Sequence, residues 1–129
     1  MLLRGSLTLL IALAACSDSG SNSPDAAKQV DATPATVMEE TCPATVPLTV
    51  DAPDGTLSYK FTPATPQISL GGIVKFTTHL EHNVVPNLTM SDPGLVVDFN
   101  KTKCLRFTHS GTFSFHCGPH SFVGTITVQ

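Results

Sequence analysis

A chain of 129 residues is at most one domain long, and a formal net charge of −3 with no basic run excludes a nucleic-acid binder that neutralises phosphates. Only 13% of the residues are charged while β-branched residues are abundant, a balance that favours strands with small polar side chains on their outer faces. Seven Phe, one Tyr and no Trp allow a modest aromatic core, and four Cys in so short a chain need separate explanations.

Residues 1–15 hold one positive charge, Arg4, followed by a short run of Leu, Ile, Thr and Ala. A membrane span needs about 20 apolar residues, so the run reads as a secretory signal peptide. Its end, Leu13-Ala14-Ala15-Cys16, resembles the lipobox of bacterial lipoproteins. That resemblance implies cleavage before Cys16, a diacylglycerol on the Cys16 sulfur and a lipid anchor in the bacterial cell envelope. Multiple acyl chains hold firmly, at roughly 0.8 kcal/mol per buried methylene. Ser17, where Asp would imply inner-membrane retention, favours the outer membrane, with the domain in the periplasm or at the cell surface. The alternative is ordinary cleavage after the small residues and a soluble export.

Residues 16–41 are expected to be the lipidated Cys and a flexible tether. Ser17 to Glu40 is rich in Ser, Ala, Asp, Pro and Thr, with only Val30, Val37 and Met38 as larger apolar side chains. Such a stretch buries too little surface to offset its ordering entropy. A flexible chain of this length spans roughly 25–30 Å root-mean-square, and Pro24 and Pro34 argue against a helix over Ala26 to Val30.

From Cys42 the pattern changes to short alternating runs split by Pro and Gly, and residues 42–129 are expected to be the folded domain. Strands are predicted at Val46–Asp51, Leu57–Thr62, Gln67–Leu70, Ile73–Thr78, Val84–Val85, Leu95–Val97, Cys104–Thr108, Thr112–Cys117 and Val123–Val128. Asp54-Gly55, Gly71-Gly72, Asp92-Pro93-Gly94 and Ser110-Gly111 supply turns. Many short strands at this spacing indicate an all-β sandwich or barrel. Asn87 to Gly94 is the least patterned stretch.

Thr112 to Val128 carries the chemistry. One strand ends at Cys117, a Gly118-Pro119 turn brings His120 round beside the thiol, and a second strand follows. With His82 upstream, the chain offers one thiolate and two imidazoles, the equatorial donor set of electron-transfer copper sites. Zinc accepts the same donor types, but a structural zinc closes a tetrahedron with a fourth strong ligand, and this loop has no second cysteine.

On these residues the chain from about Thr56 to Gln129 resembles the cupredoxins, of the plastocyanin and amicyanin branch. Ile68-Ser69-Leu70-Gly71-Gly72-Ile73-Val74-Lys75-Phe76 is similar to the family's strand-turn-strand before the first ligand. His82-Asn83-Val84-Val85 is similar to its His-Asn-Val stretch, and Gly111 to His120 to its strand and Cys-x-Pro-His turn. The resemblance implies a Greek-key β-sandwich of about 7–9 short strands and one copper held by His82, Cys117 and His120. It departs from the family at the axial Met, whose place falls on Phe122 or Val123, neither able to coordinate. Met90 substitutes only by folding over the site. The expectation is a copper without a side-chain axial ligand and a higher reduction potential than in Met-ligated relatives.

If Cys16 is lipidated, one pair and one metal thiolate account for the other three cysteines, so Cys42 and Cys104 are expected to form a disulfide. The alternative pairs Cys117 with one of them and leaves no copper site. His79 competes with His82 for the first ligand position but lacks the following Asn-Val, and His109 and His116 read as surface histidines. Asn83 is a candidate tie between the two ligand loops, and Phe122 a neighbour of the metal that forms an apolar docking patch with Pro119. The function implied is a membrane-tethered, monomeric electron carrier and not an enzyme. Its partners would be redox proteins, a cytochrome or a copper enzyme. The alternative is copper storage, delivery or sensing.

Overall fold

Phe76, Phe107, Phe113 and Phe115 alternate with polar neighbours along their segments, and burying each ring is worth about 1.5–3 kcal/mol. That demand is met by two sheets packed face to face. The computed structural model describes residues 35–55, 59–87 and 91–129; the expected signal peptide, Cys16, most of the tether and Met90 lie outside the described residues.

Among the described residues eight strands form in chain order: β1 (Val37–Glu40), β2 (Leu48–Ala52), β3 (Gln67–Ile68), β4 (Ile73–Thr78), β5 (Val85–Pro86), β6 (Thr102–Phe107), β7 (Gly111–His116) and β8 (Val123–Val128). One sheet has the order β1-β6-β4-β2 and the other β3-β8-β7-β5. The pairs β2–β4 and β3–β8 are parallel and the rest antiparallel. Val74 and Phe76 of β4, Leu105 and Phe107 of β6, Phe113 and Phe115 of β7, and Ile126 and Val128 of β8 fill the space between them. The rings meet across the core, with Phe76 edge-on to Phe115 at 5.5 Å and Phe61 edge-on to Phe115 at 4.7 Å. The fold is the all-β sandwich the alternation predicted.

Gly124 shows how closely the rings pack. A Cβ there would lie 2.4 Å from Cζ of Phe115, the residue directly opposite it in the β7–β8 ladder. Only a residue without a side chain lets the Phe115 ring lie across β8.

Two predicted strands do not form over their described residues. Of Leu57–Thr62, the described part pairs only at Thr62, which exchanges two backbone hydrogen bonds with Asp51 (2.8 and 2.9 Å). Pro63 follows and has no N–H to extend the ladder. In Leu95–Val97 the N–H groups of Leu95 and Val96 go to the local carbonyls of Asp92 and Gly94, and only Val97 pairs across, with Val84.

The expected tether, residues 16–41, runs too far. Its last part is β1, an edge strand paired with β6 from Val37 opposite Phe107 to Glu40 opposite Cys104. Val37 is in the core, and the Thr36 N–H and hydroxyl both donate to the Asp92 carboxylate. On the outer face Arg106 pairs with Glu40 through two nitrogens and Lys103 Nζ meets Glu39 at 2.7 Å. The folded domain therefore begins by Thr36 and not at Cys42. Cys42 is joined to Cys104 by a disulfide, 62 positions apart in sequence.

Candidate metal centre

The site is built from two connections at one end of the sandwich. The β4–β5 connection carries His82, and the β7–β8 turn carries Cys117 and His120. Alternation along β7 turns Phe113 and Phe115 inward and so delivers Cys117 to the interior just past the last ladder position. The turn then closes on itself, since Cys117 N–H donates to the Phe122 carbonyl (3.0 Å) and Ser121 N–H to the Cys117 carbonyl (2.8 Å). The Asn83 side-chain oxygen accepts the Gly118 N–H at 2.8 Å and ties one connection to the other.

Within this frame three atoms converge. Cys117 Sγ lies 3.6 Å from His82 Nδ1 and 3.7 Å from His120 Nδ1, and the two Nδ1 atoms are 3.1 Å apart. His82 and Cys117 are fully buried, whereas His120 is exposed. Among the described residues Cys117 is the free thiol. Two imidazole nitrogens and a sulfur facing one point are all electron-pair donors, and a cation between them removes their mutual repulsion. An ion bonded at about 2.0–2.1 Å to nitrogen and about 2.3 Å to sulfur sets N···N separations of about 3.1–3.6 Å and S···N separations of about 3.3–3.8 Å for bond angles of about 100–120°. The distances found lie in both ranges. The donor set suits one type 1 copper, a soft thiolate with two imidazoles.

Aromatic rings surround the donors. Phe122 packs edge-on to His82 at 5.0 Å and on Phe61 at 4.7 Å, while Val123 points to solvent. Phe122 is thus the side chain beneath the site where the resemblance would place Met, and Val123 is not. Among the described residues the one methionine is Met38, exposed on β1. Tyr59 lies over the exposed His120 ring at 4.6 Å and approaches His82 at 6.0 Å. Nothing in the sequence marked Tyr59, because its two partners come from connections 23 and 61 positions further along.

The remaining histidines stand apart. His79 Nε2 bonds Asp51 Oδ1 at 3.0 Å and does not enter the cluster. His109 is exposed beside Thr108 in the β6–β7 turn. His116 is part-buried in β7 opposite Val85 and Val123, with Nδ1 buried and unpartnered. A second group, Asp54 and Glu81, gathers beside His82. Asp54 accepts the backbone N–H groups of Glu81 (2.9 Å) and Leu80 (3.0 Å), and Glu81 Oε2 accepts the Gly55 N–H at 3.2 Å. The Glu81 N–H is the largest of the causes that hold the Asp54 carboxyl below its ordinary value.

No protein-family model matches the chain, and no curated protein matches it. Solved structures do. The plastocyanin of Dryopteris crassirhizoma in its oxidised form is 27% identical over 63% of this chain and 99% of its own, with a TM-score of 0.52. A Cu(I) form of an amicyanin variant is 19% identical over 73% of this chain and 99% of its own, with a TM-score of 0.53. Native pseudoazurin of Hyphomicrobium denitrificans is 21% identical over 63% of this chain and 73% of its own, with a TM-score of 0.51. The fold is that of the cupredoxins.

Proposed function

We propose that this chain is a type 1 copper protein that carries electrons while tethered to a bacterial membrane, its copper held by His82, Cys117 and His120 with no methionine in the axial position. The convergence of the Cys117 sulfur and two imidazole Nδ1 atoms at separations of 3.1–3.7 Å carries this reading. Copper supplies the one-electron chemistry, cycling between Cu(I) and Cu(II).

The chain's own residues supply the rest. The thiol is packed at the end of β7 among Phe115, Ile126 and the other core side chains, which excludes water from the sulfur. The Asn83–Gly118 hydrogen bond and the Cys117–Phe122 and Ser121–Cys117 backbone bonds hold both ligand segments in one arrangement, so little has to move when the charge of the site changes. His120 is the exposed ligand, and a redox partner docking at this end meets its ring and the Tyr59 ring above it. Cys117 lies about 20 Å along β7 from Gly111. The chain enters β1 beside the β6–β7 turn, where Thr108 N–H bonds the Thr36 carbonyl. The partner meeting the His120 end would be a cytochrome or a copper enzyme.

The copper-loaded protein is expected to show an intense visible thiolate-to-Cu(II) band and fast reversible voltammetry, with the band lost in Cys117→Ser while the fold is retained. A protein that instead prefers Cu(I), exchanges it readily and shows poor reversibility is a copper-handling protein, and the carrier reading fails. Membrane fractionation tests the anchor: Cys16→Ser is expected to release the protein, and retention in the membrane fraction refutes the tether.

A further inference from the structure

With Nδ1 of His82 turned to Cys117 and His120, the proton of the ring must sit on Nε2 when a metal is bound. That nitrogen is buried and has no hydrogen-bond partner, although His82 is wholly inaccessible to solvent. Ligating histidines nearly always give this second N–H to a carboxylate, a carbonyl or a water, which fixes the ring and raises its basicity. The carboxylates of Asp54 and Glu81 are grouped with a ring nitrogen of His82 so that all three atoms lie within 4.8 Å of one another. Both oxygens of Asp54 already accept backbone N–H groups. Glu81 makes one long contact, 3.2 Å from the Gly55 N–H, and its side chain is exposed and free to turn.

We propose that Glu81, on a connection braced by Asp54, accepts the Nε2–H of His82 and is a positioning residue for the copper ligand. A second cation at the same three residues is the competing use of this geometry. With copper on Nδ1 it would require the ring to lose its remaining proton and become an imidazolate, so the donor role is the one the bound state favours. An anionic acceptor on Nε2–H makes Nδ1 a stronger donor and stabilises Cu(II) over Cu(I). Glu81 therefore lowers the reduction potential, against the rise expected from the missing axial thioether.

This inference rests on the copper reading, and the experiment separates the two. Copper-loaded wild type, Glu81→Gln and a charge control, Glu39→Gln on β1, are compared by visible spectrum, voltammetry, Cu(II) and Cu(I) competition titrations, and metal stoichiometry. Expected for Glu81→Gln is a retained visible band with Cu(II) affinity about tenfold or more lower and Cu(I) affinity unchanged. Each tenfold change in that ratio raises the potential by about 59 mV for one electron. The control should shift it much less. An unchanged potential in Glu81→Gln with the band intact, or a shift no larger than the control's, overturns the proposal and leaves the copper reading standing. A second equivalent of metal in the wild type that Glu81→Gln loses also overturns it, because the acid group then serves its own ion. Absence of the band from the wild type overturns the copper reading and this proposal together.

Discussion

Replacing Cys42 with Ser removes the disulfide while leaving the buried Cys104 thiol in the core, so the effect is on chain connectivity and not on packing. The bridge joins positions 62 apart in sequence. In the chain-entropy treatment a loop of that size restricts the unfolded state by about 4 kcal/mol at room temperature. The contacts that remain on β1 cannot replace it, because exposed ion pairs such as Lys103–Glu39 are worth about 0–1 kcal/mol each. The assay is urea unfolding of the metal-free protein under reducing conditions for the variant and oxidising conditions for the wild type, since bound metal adds its own stabilisation. With a slope of about 1–3 kcal/mol/M the midpoint should fall by roughly 1.5–4 M. The melting temperature should fall by roughly 15–30 °C. A loss below about 1 kcal/mol refutes the reasoning, since the open-chain unfolded state would then be little less restricted than the bridged one.

Three further outcomes are expected. Burial works to raise the Asp92 carboxyl but is outweighed by N–H donors from Thr36, Gly94 and Val37 and by the Thr36 hydroxyl, which hold it below the usual 3.8. A depressed carboxyl contributes stability that is present above its unfolded value and lost as pH falls through the folded one. Unfolding followed by circular dichroism should therefore show wild type weakening from about pH 4 downward, and Asp92→Asn less stable at neutral pH with a flatter acid limb; a parallel acid limb in the variant counts against the assignment. Gly124→Ala forces a Cβ into the Phe115 ring and should cost about 1–3 kcal/mol in urea unfolding, and a neutral result would mean the ring has room to shift. Phe122→Met places a thioether beneath the site and should lower the reduction potential, whereas Val123→Met, pointing to solvent, should leave it unchanged; no change in Phe122→Met argues against an open axial position.

The sequence by itself determined the sandwich and the donor set. Ile73–Thr78 and Val123–Val128 are strands over the predicted residues because strict alternation over six positions admits only one buried face. The three ligand types were legible because a Cys, a Pro-containing turn and a His within four residues constrain one another locally. What the tertiary structure alone decided were matters of partners distant in the chain. Val37–Glu40 reads as part of a polar tether, with one core residue in four, and becomes a strand only because β6, the Asp92 carboxylate and Cys104 wait for it more than fifty residues later. Leu95–Val97 alternates like a strand, yet the N–H groups of Leu95 and Val96 are taken by the turn it follows. Tyr59 and Glu81 carry no local signal at all. Their relation to His120 and His82 exists only once the connections of two sheets are brought to one end of the sandwich, because a period reports which face a residue uses and not what lies opposite it.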